Sequence, residues 1–262
     1  MKKSALILIA LALCILVLAL FLSIDPNTNI NNTNNQSERI FITNQFSDDF
    51  ENANSIEDIF QKDLSRWHNI QKDNNNIIVL DSQIVYSGKN SIKFVSGKSS
   101  GASKADIQRE GFGFKKGDNL WTSVWFYIKG GTDTTDMFLL DFEDSTTYQN
   151  PGRRIFIQEG EFLASDLGKV FPKPIVFRQE QGKEIKVPKN KWFEVKVHLF
   201  LDEKEGIMEV WQDGVKIINE KDMTLPSANA VFDRVQVGIT ANENKKEQTL
   251  YLDDITISDK EI

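Results

Sequence analysis

Hydrophobic and polar positions alternate most regularly over residues 191–218, KWFEVKVHLFLDEKEGIMEVWQDGVKII. Phe193, Val195, Val197, Leu199 and Leu201 alternate with Glu194, Lys196, His198, Phe200 and Asp202, the period of a strand with one buried face. The run Asp202 to Gly206 and the pair Asp213-Gly214 are turn signals, the second a strong hairpin signal. Three antiparallel strands in a meander are therefore predicted. Strand-like runs recur at 105–109, 120–129, 137–142, 154–158, 161–164, 234–240 and 249–258. Two more flank a turn at Ser87 to Asn90 in IIVLDSQIVYSGKNSIKFV. One helical turn is expected at 55–62, capped by Ser55 with Asp58 three residues on. So many short strands cannot bury their faces as one open sheet. They predict an all-β fold, a two-sheet antiparallel jelly-roll sandwich over residues 46–262 with its first strand beside its last.

Ahead of that domain the pattern changes twice. Residues 1–24 carry Lys2 and Lys3 and then an uncharged apolar run long enough to span a bilayer as a helix. It is read as a signal anchor, with the N-terminus inside and the rest on the extracytoplasmic face of the membrane. Cleavage as a signal peptide would instead release a secreted protein. Residues 25–45 are rich in Asn, Thr and Ser, too polar to fold alone, and form a linker.

Composition adds two exclusions. The net charge of −7, without a Lys/Arg cluster, argues against a nucleic-acid partner. The single cysteine, Cys14, excludes an intrachain disulfide.

Strand parity points to a ligand face. In LWTSVWFYIK, Thr122, Val124, Phe126 and Ile128 suit the core, which leaves Trp121, Ser123, Trp125 and Tyr127 on the other side. In FLLDFED, Phe138, Leu140 and Phe142 are expected inward, with Asp141 and Glu143 outward. Arg154, Gln158, Lys196, His198, Glu209 and Trp211 fall on the non-core faces of their strands. If these strands share one sheet, aromatic rings and hydrogen-bonding groups meet on one face. Saccharides are held that way, by stacking on C–H faces and by polar groups reading hydroxyls.

The opening DDFE, the segment VYSGKNSIKF, the strand LWTSVWFYI, the 191–217 meander and the closing LYLDDITIS together resemble the concanavalin A-like jelly-roll superfamily. Within it, DIQREGFGFKKGDNLWTSVWFYIKGG looks most like heparin lyase-type polysaccharide lyases. Those enzymes use a Gln-x-His strand with a nearby Tyr or His to remove a proton alpha to a uronate carboxylate, which Arg, Asn or Gln neutralises. For a lyase the resemblance implies His198 as base, Tyr127 as acid and Arg154 as neutraliser. The strand expected to carry Gln-x-His reads MFLLDFED. The laminarinase-type Glu-x-Asp-x-Glu pattern is likewise incomplete, because position 139 is Leu. The resemblance also implies a structural calcium site at Asp49, Glu51 and Asp254, since oxygen ligands suit a hard cation.

The resulting expectation is an extracytoplasmic protein that binds a polysaccharide or glycoconjugate without catalysis. The alternatives are a polysaccharide lyase acting on a uronate-containing glycan and an envelope adhesion module that binds protein.

Overall fold

A computed structural model of the protein describes residues 43–60, 66–73, 75–145, 150–168, 175–243 and 245–262. The expected signal anchor and the linker up to residue 42 lie outside the described residues. Among the described residues, no helix is long and apolar enough to cross a membrane.

The described residues form fifteen strands: β1 (Phe46–Asp48), β2 (Asn69–Lys72), β3 (Ile77–Asp81), β4 (Ser91–Ser96), β5 (Ser103–Lys115), β6 (Asn119–Ile128), β7 (Met137–Asp144), β8 (Asn150–Gln158), β9 (Phe162–Leu167), β10 (Ile175–Phe177), β11 (Trp192–Phe200), β12 (Ile207–Gln212), β13 (Val215–Lys221), β14 (Val231–Asn242) and β15 (Gln248–Ser258). The first sheet runs β13-β12-β11-β6-β15-β4-β3, with β1 also paired to β15. The second runs β10-β9-β8-β7-β14-β5-β2. Every pairing between these strands is antiparallel.

The core lies between the sheets and draws on both. Val124, Phe126, Val195 and Val197 of the first sheet are fully buried, as are Ile107, Phe142, Ile155 and Val237 of the second. The 191–218 meander forms as its alternation requires, β11 to β12 to β13, with Asp213 and Gly214 in the left-handed region at the second turn. The first strand pairs with the last, Phe46 opposite Ile257. Ser55 and Asp58 form a capping box on a 3-10 turn, Ile56–Ile59.

Three local expectations are corrected. The short strands β2 and β10 carry too little periodic sequence to be read beforehand. The strand before the Ser87 turn ends at Asp81, whose carboxylate accepts the amides of Gln83 and Ile84 and turns the chain. In β7 the pairing with β8 shifts between Phe138 and Leu140, so Leu139 and Leu140 are both fully buried while Phe138 sits with Arg154 on the outer side. A bulge places two consecutive residues on one side, which simple alternation cannot anticipate.

Candidate functional site

The expected single platform is two surfaces. Trp121, Trp125, Tyr127, Lys196, His198, Glu209 and Trp211 belong to β6, β11 and β12 of the first sheet. Asp141, Glu143, Arg154 and Gln158 belong to β7 and β8 of the second. Each set points away from the shared core, so the two sets occupy opposite outer faces of the sandwich. Alternation assigned the outward side of these site residues correctly, Phe138 of β7 being the exception noted above, but the assumption that the strands share a sheet fails. The lyase trio fails with it, because Arg154 is on the other face from His198 and Tyr127. Within the first sheet, His198 pairs with Trp121 and Tyr127 with Trp192, six residues along β11. That separates the two by roughly 20 Å.

On the first sheet these side chains largely satisfy one another. The Trp121 ring is stacked between His198, at 4.0 Å between centroids, and Trp211, at 5.9 Å. His198 Nδ1 lies 2.8 Å from Glu209 Oε2 and Nε2 lies 2.8 Å from Asn119 Oδ1, so neither ring nitrogen is free to take a substrate proton. Glu209 also pairs with Lys216, and the Lys196 and Lys216 amines lie over the Trp211 ring. Burial works against ionisation of Glu209, yet hydrogen bonds from Lys216 and His198 hold its carboxyl below the usual value.

The second sheet carries a different arrangement. In register across six adjacent strands run Asn69 (β2), Gln108 (β5), Gln236 (β14), Asp141 (β7), Arg154 (β8) and Asp166 (β9). At about 4.8 Å per strand the row spans roughly 24 Å. Beside it, Glu143, Arg234 and Glu110 form a second row. Phe138 and Phe156 stack at 5.1 Å, and the Arg154 guanidinium lies 4.1 Å over the Phe138 ring. Gln108, Gln236, Asp141 and Asp166 are buried although they point away from the core, so they form the floor of a polar surface.

Its electrostatics are tightly paired. Arg154 donates to Asp166 through Nε at 2.8 Å and Nη2 at 2.6 Å, and Arg234 donates to Glu143 through Nε at 2.7 Å. The Lys104 amine reaches Gln71 Oε1 at 3.0 Å, which also accepts from Gln108. Burial pushes the Asp106 carboxyl up to about 8. Burial, then the charge of Glu143, raises Asp141 well above the carboxylate range, while Arg154 pulls the other way. One oxygen of each of these two carboxyls is buried without a hydrogen-bond partner.

The residues nominated for calcium make hydrogen bonds within the fold. The Glu51 carboxylate accepts the amides of Lys89 and Asn90, Asp49 accepts the amide of Glu51, and Asp254 accepts the Ser87 hydroxyl. Among the described residues, no three His, Cys, Asp or Glu side chains are grouped to hold a metal ion.

Sequence reasoning missed His68, Asp106, Gln108, Glu110, Arg234 and Gln236. His68 has a partner in the fold: Nε2 lies 3.4 Å from Glu110 Oε2. A signal was present, since Asp106, Gln108 and Glu110 recur every second residue inside a strand-forming stretch, as do Arg234 and Gln236. What the sequence lacked was the pairing of β5 with β14 that brings them together.

Three structures place this fold among known ones. An endo-beta-1,4-glucuronan lyase from the fungus Trichoderma reesei superposes with a TM-score of 0.62 and 14% identity, covering 82% of this chain and 95% of that one. The cellulose induced protein Cip1 gives 0.61 and 16%, covering 83% and 98%. The alginate lyase Aly36B gives 0.54 and 8%, covering 83% and 97%. At these identities the likeness concerns the fold, the concanavalin A-like jelly roll. Comparison with curated protein sequences finds no match. The model of the polysaccharide lyase family matches residues 61–256, well over half of the sequence and nearly all of both sheets. The chain belongs to the polysaccharide lyase family.

Proposed function

We propose that the protein binds a polysaccharide along the outer face of the second sheet, without cleaving it, on the extracytoplasmic side of a membrane. The observation that carries the binding reading is the in-register row from Asn69 to Asp166. A polar strip of roughly 24 Å suits a chain of sugars better than one small molecule. Amides, carboxylates and a guanidinium supply donors and acceptors for hydroxyls, and Phe138 with Phe156 offers an apolar patch for C–H faces. Binding rather than elimination is favoured because both guanidinium groups of this face already hold carboxylates. The extracytoplasmic placement rests on the apolar run of residues 1–24. Calorimetric titration of the protein with soluble glucuronan, alginate and beta-glucan tests the proposal. Saturable binding that Gln108→Ala and Arg154→Ala both weaken supports it, and no heat with any of the three removes it.

A uronate lyase is the second reading, favoured by His68. Its imidazole stands beside Glu110 at the edge of the same face, and the backbone amide of His68 bonds to the Gln108 carbonyl. On this reading His68 takes the proton alpha to the carboxylate, the C–O bond at the beta carbon breaks as the double bond forms, solvent water protonates the departing oxygen, and Gln108 and Gln236 hold the carboxylate oxygens. Release of unsaturated uronate, followed by its ultraviolet absorbance and lost in His68→Ala, would establish it. A flat trace on glucuronan and alginate leaves binding alone.

A further inference from the structure

On the opposite face, β6, β15 and β1 run side by side beneath a cavity of about 760 Å³. Its floor is built by register: Ser123 pairs with Thr256, and Thr256 pairs with Ser47, so three hydroxyl side chains form a line across three adjacent strands. Trp125, two residues along β6 from Ser123, forms one wall. Tyr86 stacks on that indole with centroids 3.7 Å apart and rings 13° from parallel, and the Tyr86 amide is tied to Asp253 Oδ2 at 2.9 Å. The aromatic wall is therefore held in place from outside the cavity. Asp49, Asn52 and Asp254 line the rim. Arg66 also lines it, but its guanidinium is taken by Asp48 and by the carbonyl of Asp58. Among the described residues, no lysine or arginine pairs with Asp49 or Asp254.

A fixed aromatic wall, a line of hydroxyls and acceptor-rich carboxylates in one cavity match the two sides of a sugar ring, its C–H face and its hydroxyl edge. The excess of carboxylates over free cations disfavours a uronate. We propose that this cavity is a second saccharide site, which takes one uncharged hexose unit of a polysaccharide against Trp125. It faces away from the row containing Arg154 and does not depend on that row being a binding surface. With both faces occupied, one molecule would hold two glycan chains.

The test is calorimetric titration of the full chain with cellotetraose as the neutral probe. Saturable binding is expected, weakened about 10-fold in Trp125→Ala, which is the affinity equivalent of losing roughly 1.4 kcal/mol of stacking. Trp125→Phe should restore most of it. Asp49→Asn, at an exposed position where folding is not at risk, should weaken binding several-fold. Unchanged affinity in both Trp125→Ala and Asp49→Asn overturns the proposal, as does absence of binding in the parent chain. Loss of cellotetraose binding in Arg154→Ala assigns the sugar to the other face and overturns it too. A rise in melting temperature with calcium chloride, without saccharide binding, would make the cavity a cation site instead.

Discussion

Arg154 and Asp166 face each other on neighbouring strands and meet as a two-pronged ion pair, Nε to Oδ1 at 2.8 Å and Nη2 to Oδ2 at 2.6 Å. Both side chains are mostly covered, and Asp166 closes one end of the polar row. Asp166→Ala leaves a largely desolvated guanidinium uncompensated and is expected to lower stability by about 3 kcal/mol. Urea denaturation measures this. A loss under about 0.5 kcal/mol, typical of surface pairs, would mean that the pair does not hold the row together.

Asp106 predicts an unusual pH dependence. Burial raises its carboxyl to about 8 in the folded protein, whereas an unfolded aspartate titrates near about 3.9. Between these values the folded chain keeps a proton that the unfolded chain has released. Its contribution to stability is therefore intact at about pH 4 and falls as pH rises toward 8, by up to about 1.4 kcal/mol per unit. Asp106→Asn, which mimics the neutral acid, should flatten that slope. Denaturation curves from pH 4 to 8 decide it, and parallel slopes in the two proteins would refute the assignment.

Glu209 behaves in the opposite sense. Its carboxyl is held low by Lys216 and His198, so the stability it adds is present above the ordinary glutamate range and is lost as pH falls through its folded value. Glu209→Gln should cost about 1 kcal/mol at neutral pH, with the difference from the parent closing in acid. Thermal melts at pH 7 and pH 3 check this. An equal deficit at both would show that packing around Trp211, and not charge, is what the substitution disturbs.

Gly88 lies against the carboxylate of Glu51, in the loop that follows β1. Its φ of +57° suits glycine, and a Cβ there would fall on the Glu51 carboxylate. Gly88→Ala is therefore expected to displace Glu51 from the amides of Lys89 and Asn90 and to destabilise the fold by about 1 to 3 kcal/mol. Calorimetric melting would detect the loss. A melting temperature equal to the parent's would show that the loop yields without penalty.

Much of this molecule is legible in the order of its residues. A strand turns alternate side chains to opposite sides, so the inward set Val124, Phe126, Val195 and Val197 and the outward set Trp125, Lys196 and His198 follow from local pattern alone. Asp213-Gly214 determines a hairpin for the same local reason, since both residues tolerate the left-handed backbone the turn needs. Sheet membership is not local. Whether Trp125 and Arg154 share a surface depends on β6 pairing with β11 and β15, and on β7 pairing with β8 and β14, contacts between residues as far apart in the chain as Trp121 and Ser258. Nothing in the alternation of either strand encodes its neighbour. The tertiary structure therefore decided that the outward residues form two surfaces, that His68 meets Glu110, and that the bulge in β7 turns Phe138 outward beneath the Arg154 guanidinium.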